Sequence, residues 1–316
     1  MTGNRQMKAI FVWLIFAIVF AAPVGSASAQ QAASGESVDL LQRDLPPGDA
    51  VIWYLGMDGF AVKTTHHFLV FDPTDTGMEN SFVLPESADS LSSGMVNPQT
   101  VGDLDVIVFT SAMGDEHYHT GIWPWHRYIK NITYVFGWDP IINQDNHEYI
   151  YMKPRDEIEI GDVSVTAIQA ATSGAAFLVS VDDLTLLHGG DHIMTDASMT
   201  PEFRSGIDYL ASRSNGIDLL FIDFQVGPGE RPPSIAEGIQ YADSKLSPRA
   251  IFPMGAVDAT VPRYLRTGTR ATYEYLIDDL ISDMPGDSLR SKIVRTGERG
   301  HAFLYHDGKI ERLPHD

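Results

Sequence analysis

Imidazole and carboxylate side chains gather at a few places in this 316-residue sequence, each beside an apolar run that could hold them in position. Asp115, Glu116 and His117 stand together shortly after the run Val106-Ile107-Val108-Phe109, and His119 follows two residues on. His188-Gly189-Gly190-Asp191 closes a second apolar segment, with His192 beside it, and Asp223 ends a third. Such groups suit a divalent cation such as zinc, which takes imidazole nitrogen and carboxylate oxygen at about 2.0–2.2 Å. They can equally satisfy one another by hydrogen bonds in a polar network that holds no metal. Nucleophilic catalysis has little to stand on. There is no cysteine and no Gly-x-Ser-x-Gly elbow, and the spacing of Ser111, Ser173 and His117 supports no nucleophile–base set.

Other conspicuous residues read as structural. His66-His67 lies between two predicted strands as a hairpin-edge pair, because successive strand positions point to opposite faces and do not readily share an ion. Trp123, Trp125 and Tyr128 read as helix packing rather than as a ligand-stacking wall. His301 and His306, near the C-terminal strands, read as structural or exposed groups.

The elements that must position these groups follow from apolar content and turn residues. β-Branched and aromatic runs predict strands at residues 50–55, 60–63 and 68–71, the last ending at Asp72-Pro73. Residues 74–103 read mostly as loop. The continuous apolarity of 106–109 implies a strand buried on both faces. A helix is expected at 122–129 and a strand at 132–136. Residues 157–169 read as a hairpin turning at Gly161-Asp162, and 176–188 as another turning at Asp182-Asp183. A strand at 217–221 precedes a helix with capping-box spacing at Ser234 and an apolar stripe of Ile235, Ile239, Ala242 and Leu246. A short strand at 250–253, an amphipathic helix at 270–284 and strands at 302–305 and 309–312 complete the chain. No glycine-rich phosphate loop follows any strand, which disfavours a doubly wound nucleotide fold. Two packed sheets covered by helices fit better.

The first 29 residues read as a secretory leader. Arg5 and Lys8 precede the apolar run 9–24, and Ala27-Ser28-Ala29 supplies a cleavage site before Gln30. Residues 30–48 read as a linker and 49–316 as one domain. The expected location is therefore secreted or periplasmic. Removing residues 1–29 takes two positive charges and no acid, so the net charge of −20 becomes −22. That balance argues against nucleic acid and anionic membrane as partners, since phosphate binding needs clustered Lys and Arg. A small-molecule substrate or ligand is the expected partner. Without cysteine, an exported chain has only its core to hold it together.

Several landmarks recur in an order that resembles the metallo-β-lactamase superfamily, in particular the branch that includes ascorbate-phosphate lactonase. Trp53-Tyr54-Leu55-Gly56-Met57-Asp58-Gly59-Phe60 followed by Phe71-Asp72-Pro73 resembles its opening hairpin. Ser111-Ala112-Met113-Gly114-Asp115-Glu116-His117 stands where that family carries Ser-His-x-His-x-Asp-His. His188-Gly189-Gly190-Asp191 resembles its His-x-Gly-Asp turn, Ile217 to Phe221 the strand that follows, and Pro253-Met254-Gly255 its Pro-Met-His. The resemblance spans roughly residues 50–312 and implies an α+β fold, a four-layer αββα sandwich.

The resemblance also implies a depleted metal centre. The family's first two histidine positions fall on Ala112 and Gly114, its third near Thr172 and its last on Gly255, none with an imidazole. Glu116, His117 and Asp191 remain as one set of three ligands for a single zinc or other divalent ion. Asp115 or Asp223 could move the proton. The function so implied is that of a hydrolase relative with at most one metal site, acting on an ester, lactone or phosphoester bond. The alternative is a metal-free, non-catalytic protein whose pocket binds a ligand or partner.

Overall fold

The computed structural model describes residues 40–73, 91–114, 117–140, 147–224, 233–255, 281–282 and 284–315. The leader, Asp115, Glu116, Asp258 and most of the helix expected at 270–284 lie outside the described residues.

Fourteen strands in the described residues form two mixed sheets. The first runs through β1 (Ala50–Gly56), β2 (Gly59–Lys63), β3 (His67–Phe71), β4 (Asp105–Thr110), β5 (Ile132–Phe136) and β6 (Ile150–Tyr151). At its other edge lie β13 (Ala302–His306) and β14 (Lys309–Arg312), giving the order β14-β13-β1-β2-β3-β4-β5-β6. The second contains β7 (Glu157–Ile160), β8 (Val163–Gln169), β9 (Ala175–Val181), β10 (Leu184–His188), β11 (Leu219–Asp223) and β12 (Ala250–Met254), in the order β12-β11-β10-β9-β8-β7. Both sheets change from antiparallel to parallel pairing along their width. β3 to β6 are parallel in the first, and β10 to β12 in the second. The carboxyl ends of β3, β4, β10, β11 and β12 are where the acidic and histidine residues stand.

The apolar pattern explains the layering. Along β1, Ile52 and Tyr54 join the cluster between the sheets, while Val51, Trp53 and Leu55 join a separate cluster on the outer face. Both faces of the first sheet are thus buried, which accounts for its unbroken apolar runs. Between the sheets, Phe71 stacks on Phe109 with ring centroids 4.7 Å apart, and Phe60 meets Phe221 at the same separation. The outer cluster takes in the fully buried Trp123 and Trp125, so these indoles serve packing. Tyr128, by contrast, is exposed.

Helices α1 (Thr200–Ala211) and α2 (Pro233–Leu246) pack on each other beside the second sheet. A short α3 (Asp287–Arg290) precedes β13. The stripe expected on α2 is the buried one, Ile235, Ile239, Ala242 and Leu246. Three local expectations need correction. Residues 120–127 form a 3₁₀ helix, because Pro124 lies inside it and can give no amide hydrogen to an α-helical ladder. The strand expected at 217–221 starts two residues later and carries Asp223 as its last residue. Helix α1 was not anticipated, although Phe203, Ile207 and Leu210 supply a helical stripe.

Candidate metal centre

Two turns and four strand ends build one acidic pocket around His117. Asp58 sits in the turn joining β1 to β2, where Met57 has φ 52° and Gly56 has φ 99°. The turn points the Asp58 carboxylate inward, leaving the residue 4 % exposed. Asp72 follows β3 with φ 42° and is fully buried. Its Oδ1 accepts from the Ser111 amide at 2.7 Å, and its Oδ2 accepts from Ser111 Oγ at 2.6 Å. The same Oδ2 lies 3.0 Å from His117 Nδ1, with Asp58 Oδ2 at 3.4 Å from that nitrogen. On the other side of the ring, His117 Nε2 is 3.1 Å from Asp191 Oδ1. His117 itself is buried.

Glycines let the surrounding loops close on this ring. Gly190 has φ 49°, and a Cβ there would come within 2.7 Å of the Ala175 carbonyl and the Ser111 side chain. Gly174 has φ 68°, and a Cβ there would run into the Ser111 carbonyl and Ala112. The loops at 111–114, 172–174 and 189–191 meet because neither residue has a side chain. Asp191 is then held by Ser173 Oγ, which donates to its Oδ2 at 2.5 Å, and by Thr172 Oγ1, which donates to its carbonyl at 2.9 Å.

The electrostatics follow from three carboxylates meeting one imidazole. Burial alone would lower the His117 pKa, but Asp72, Asp191 and Asp58 overcome it and push it up to about 12. Asp58 is raised well above the ordinary carboxylate range, first by burial and then by the charge of Asp223, with His117 opposing both. Burial also acts to raise Asp191, but its bonds to His117, Ser173 and Thr172 prevail and hold it below the usual range. His188 is lowered by burial, and its Nε2 donates to the Asp58 carbonyl at 2.9 Å while its ring stacks on Phe71.

Of the residues singled out in the sequence, His117 and Asp191 come together as expected, and Asp223 lies close enough to act on Asp58. His119 caps the 3₁₀ helix, its Nδ1 accepting from Gly121 N at 3.0 Å. His192 points away from the pocket, packed against Phe203 with Nε2 3.1 Å from the Phe203 carbonyl. Sequence reasoning missed Asp58 and Asp72. Their only signals were a Gly-Met-Asp-Gly turn between two apolar strands and an Asp-Pro closing a third.

The positions without imidazole cluster here as well. Gly255 N donates to Asp58 Oδ1 at 2.6 Å, the Thr172 amide reaches the Asp191 carbonyl at 3.3 Å, and the Gly114 carbonyl accepts from His117 N at 3.0 Å. The chain has a metallo-β-lactamase-like fold. It is similar to the solved structure of Igni18, a metallo hydrolase from the hyperthermophilic archaeon Ignicoccus hospitalis, with 14 % identity and a TM-score of 0.52 over 82 % of this chain and 99 % of that one. It is also similar to CmlA, a diiron β-hydroxylase from Streptomyces venezuelae, with 11 % identity and a TM-score of 0.54 over 86 % of this chain. The match spans 55 % of CmlA. These likenesses concern the fold. No protein-family model and no curated protein matches the sequence.

The donor types suit one cation, with Asp191 at Nε2 of the imidazole and Asp58 nearest Nδ1, the ring nitrogen that Asp72 also approaches. Asp58, His117 and Asp191 each offer a ligand atom, all within 4.8 Å of one another. Ligands about 2.0–2.2 Å from a common ion lie within that spread. Asp72, bonded to Nδ1, would be the outer carboxylate that orients the imidazole for an ion at Nε2.

Proposed function

We propose that this chain is an exported hydrolase that holds a single divalent cation, zinc or a similar metal, through Asp58, His117 and Asp191, and cleaves an ester, lactone or phosphoester bond of a small molecule. The observation that carries this reading is the placement of His117, with Asp72 behind one ring nitrogen and Asp191 in front of the other. Glu116, the third ligand that the sequence suggests, lies outside the described residues, and Asp58 is the carboxylate that joins His117 and Asp191 among those described. The absence of imidazole at Ala112, Gly114, Thr172 and Gly255 favours one ion over two, because these positions surround the pocket and offer no side-chain nitrogen.

A cation bound here would lower the pKa of a coordinated water and polarise the scissile bond. The protein's own groups would do the rest. Asp72 fixes the orientation of His117 through Nδ1. Ser173 and Thr172 hold Asp191 in place. Asp223, at the end of β11 and near enough for its charge to act on Asp58, would accept or return a proton, with Asp115 as the other candidate. The leader reading of residues 1–29 places this chemistry outside the cytoplasm.

A second reading, a metal-free binding protein, draws on the same geometry. Carboxylates on both sides of His117 are also what an imidazolium requires, so a proton could stand in for the metal. Activity separates the two. The hydrolase reading expects turnover of p-nitrophenyl esters, simple lactones or p-nitrophenyl phosphates that chelator abolishes and added metal restores. Absence of turnover on all three classes with saturating zinc or manganese overturns it.

A further inference from the structure

A second site lies at the other end of β12. A cleft of about 640 Å³ opens there, lined by Arg249, Lys292, Arg295, Lys309 and Arg312, with Phe303 among the apolar residues that complete it. The gathering is unexpected in this chain, which has 22 Lys and Arg against 42 Asp and Glu. The five cations converge from three separate places: the residue before β12, the segment before β13, and both ends of β14.

Three of the five cations, Lys292, Arg249 and Arg295, have local partners. Lys292 Nζ meets Asp243 at 2.6 Å, and Arg249 Nε meets Asp218 at 3.4 Å. Arg312 rests against the His301 ring, with Nη2 2.8 Å from Nε2, and forms no carboxylate pair among the described residues. Lys309 forms no side-chain ion pair among them either. Structural ion pairing therefore does not account for Lys309 and Arg312, the two cations at the ends of β14. A concave, low-dielectric wall lined by one sign of charge focuses potential outward and concentrates counter-ions. Guanidinium and ammonium groups together recognise phosphate and carboxylate oxygens.

We propose that this cleft binds a small organic dianion or polyanion, with an anionic head against Lys309 and Arg312 and an apolar body toward the half-buried Ile310. The site is separate from the metal centre. Gly255, which contacts Asp58, follows the far end of the five-residue β12, about 16 Å away at ~3.3 Å per residue.

The test is titration calorimetry of the full-length protein at low ionic strength with phenylphosphonate and, separately, phthalate. These are non-hydrolysable dianions with an aromatic body and either head group. One-site saturable binding of at least one probe is expected, and the tighter probe identifies the head group. The double variant K309Q/R312Q should weaken binding by at least about tenfold, as expected for loss of charge-assisted hydrogen bonds. Added salt should weaken it too. Both residues are exposed, and an unchanged melting temperature verifies the fold. Glu311→Gln lies between the two cleft-lining residues of the same strand but outside the lining, and should leave binding in place. Absence of saturable binding of either probe overturns the proposal, as does binding that the double variant retains or that Glu311→Gln weakens equally.

Discussion

Asp72 Oδ2 lies 3.0 Å from His117 Nδ1, behind the ring and away from Asp191. A carboxylate in that position fixes the tautomer and aim of a ligating imidazole and strengthens it as a donor. Asp72→Asn keeps an oxygen for the Ser111 amide but removes the charge. Metal affinity is expected to fall about 10–100-fold, the usual effect of losing such an outer partner. Competition with a chromogenic chelator measures it. An unchanged affinity would place Asp72 in a purely structural role.

Asp58 sets stability against binding. Its folded pKa is raised by burial and by Asp223, so ionising it costs stability as pH rises above the carboxylate's unfolded value. Asp58→Asn keeps an acceptor for Gly255 N and drops the unfavourable charge. The metal-free variant is expected to be more stable near neutral pH, by on the order of 1 kcal/mol, the scale of a typical single substitution. It should also lose metal binding. Chemical denaturation with and without zinc reads both effects, and a destabilised metal-free variant would contradict the assignment.

Much of the layering was legible because it is written in local composition. The unbroken apolar run of β4 announced a strand buried on both faces, β1 and β3 were legible as strands from their β-branched and aromatic content, and the hairpins at Gly161 and Asp182 carried ordinary turn residues. His117 and Asp191 were legible through a resemblance in the order of motifs. Asp58 was not, because its meaning lies in a contact with Gly255, far away in the chain, and a Gly-Met-Asp-Gly segment otherwise reads as a simple turn. His66 and His67 stand at the edge of the β2–β3 hairpin, as the sequence suggests, but their shared partner was not legible. The strand rule sends their rings apart, but His66 stands in the bend before β3, so both reach the Asp182 carboxylate.

Asp182 gives the acid sensitivity of the fold a specific source. Burial would raise its pKa, but Thr64 Oγ1, the His66 amide and both histidine rings overcome this and hold it well below the usual range. A depressed carboxylate contributes stability above its unfolded pKa of about 3.9 and loses it as pH falls toward the folded value. Asp182→Asn should therefore be less stable than the parent at pH 7, and the gap should narrow as the pH drops below about 4. Urea melts across that range check it, and a pH-independent gap would refute it.

The central claim is one cation held by Asp58, His117 and Asp191. Elemental analysis of protein purified without chelator tests it most directly. Close to one equivalent of a divalent metal is predicted, with loss in both His117→Ala and Asp58→Asn. Two equivalents, or none together with a melting temperature that zinc and manganese leave unmoved, would contradict it.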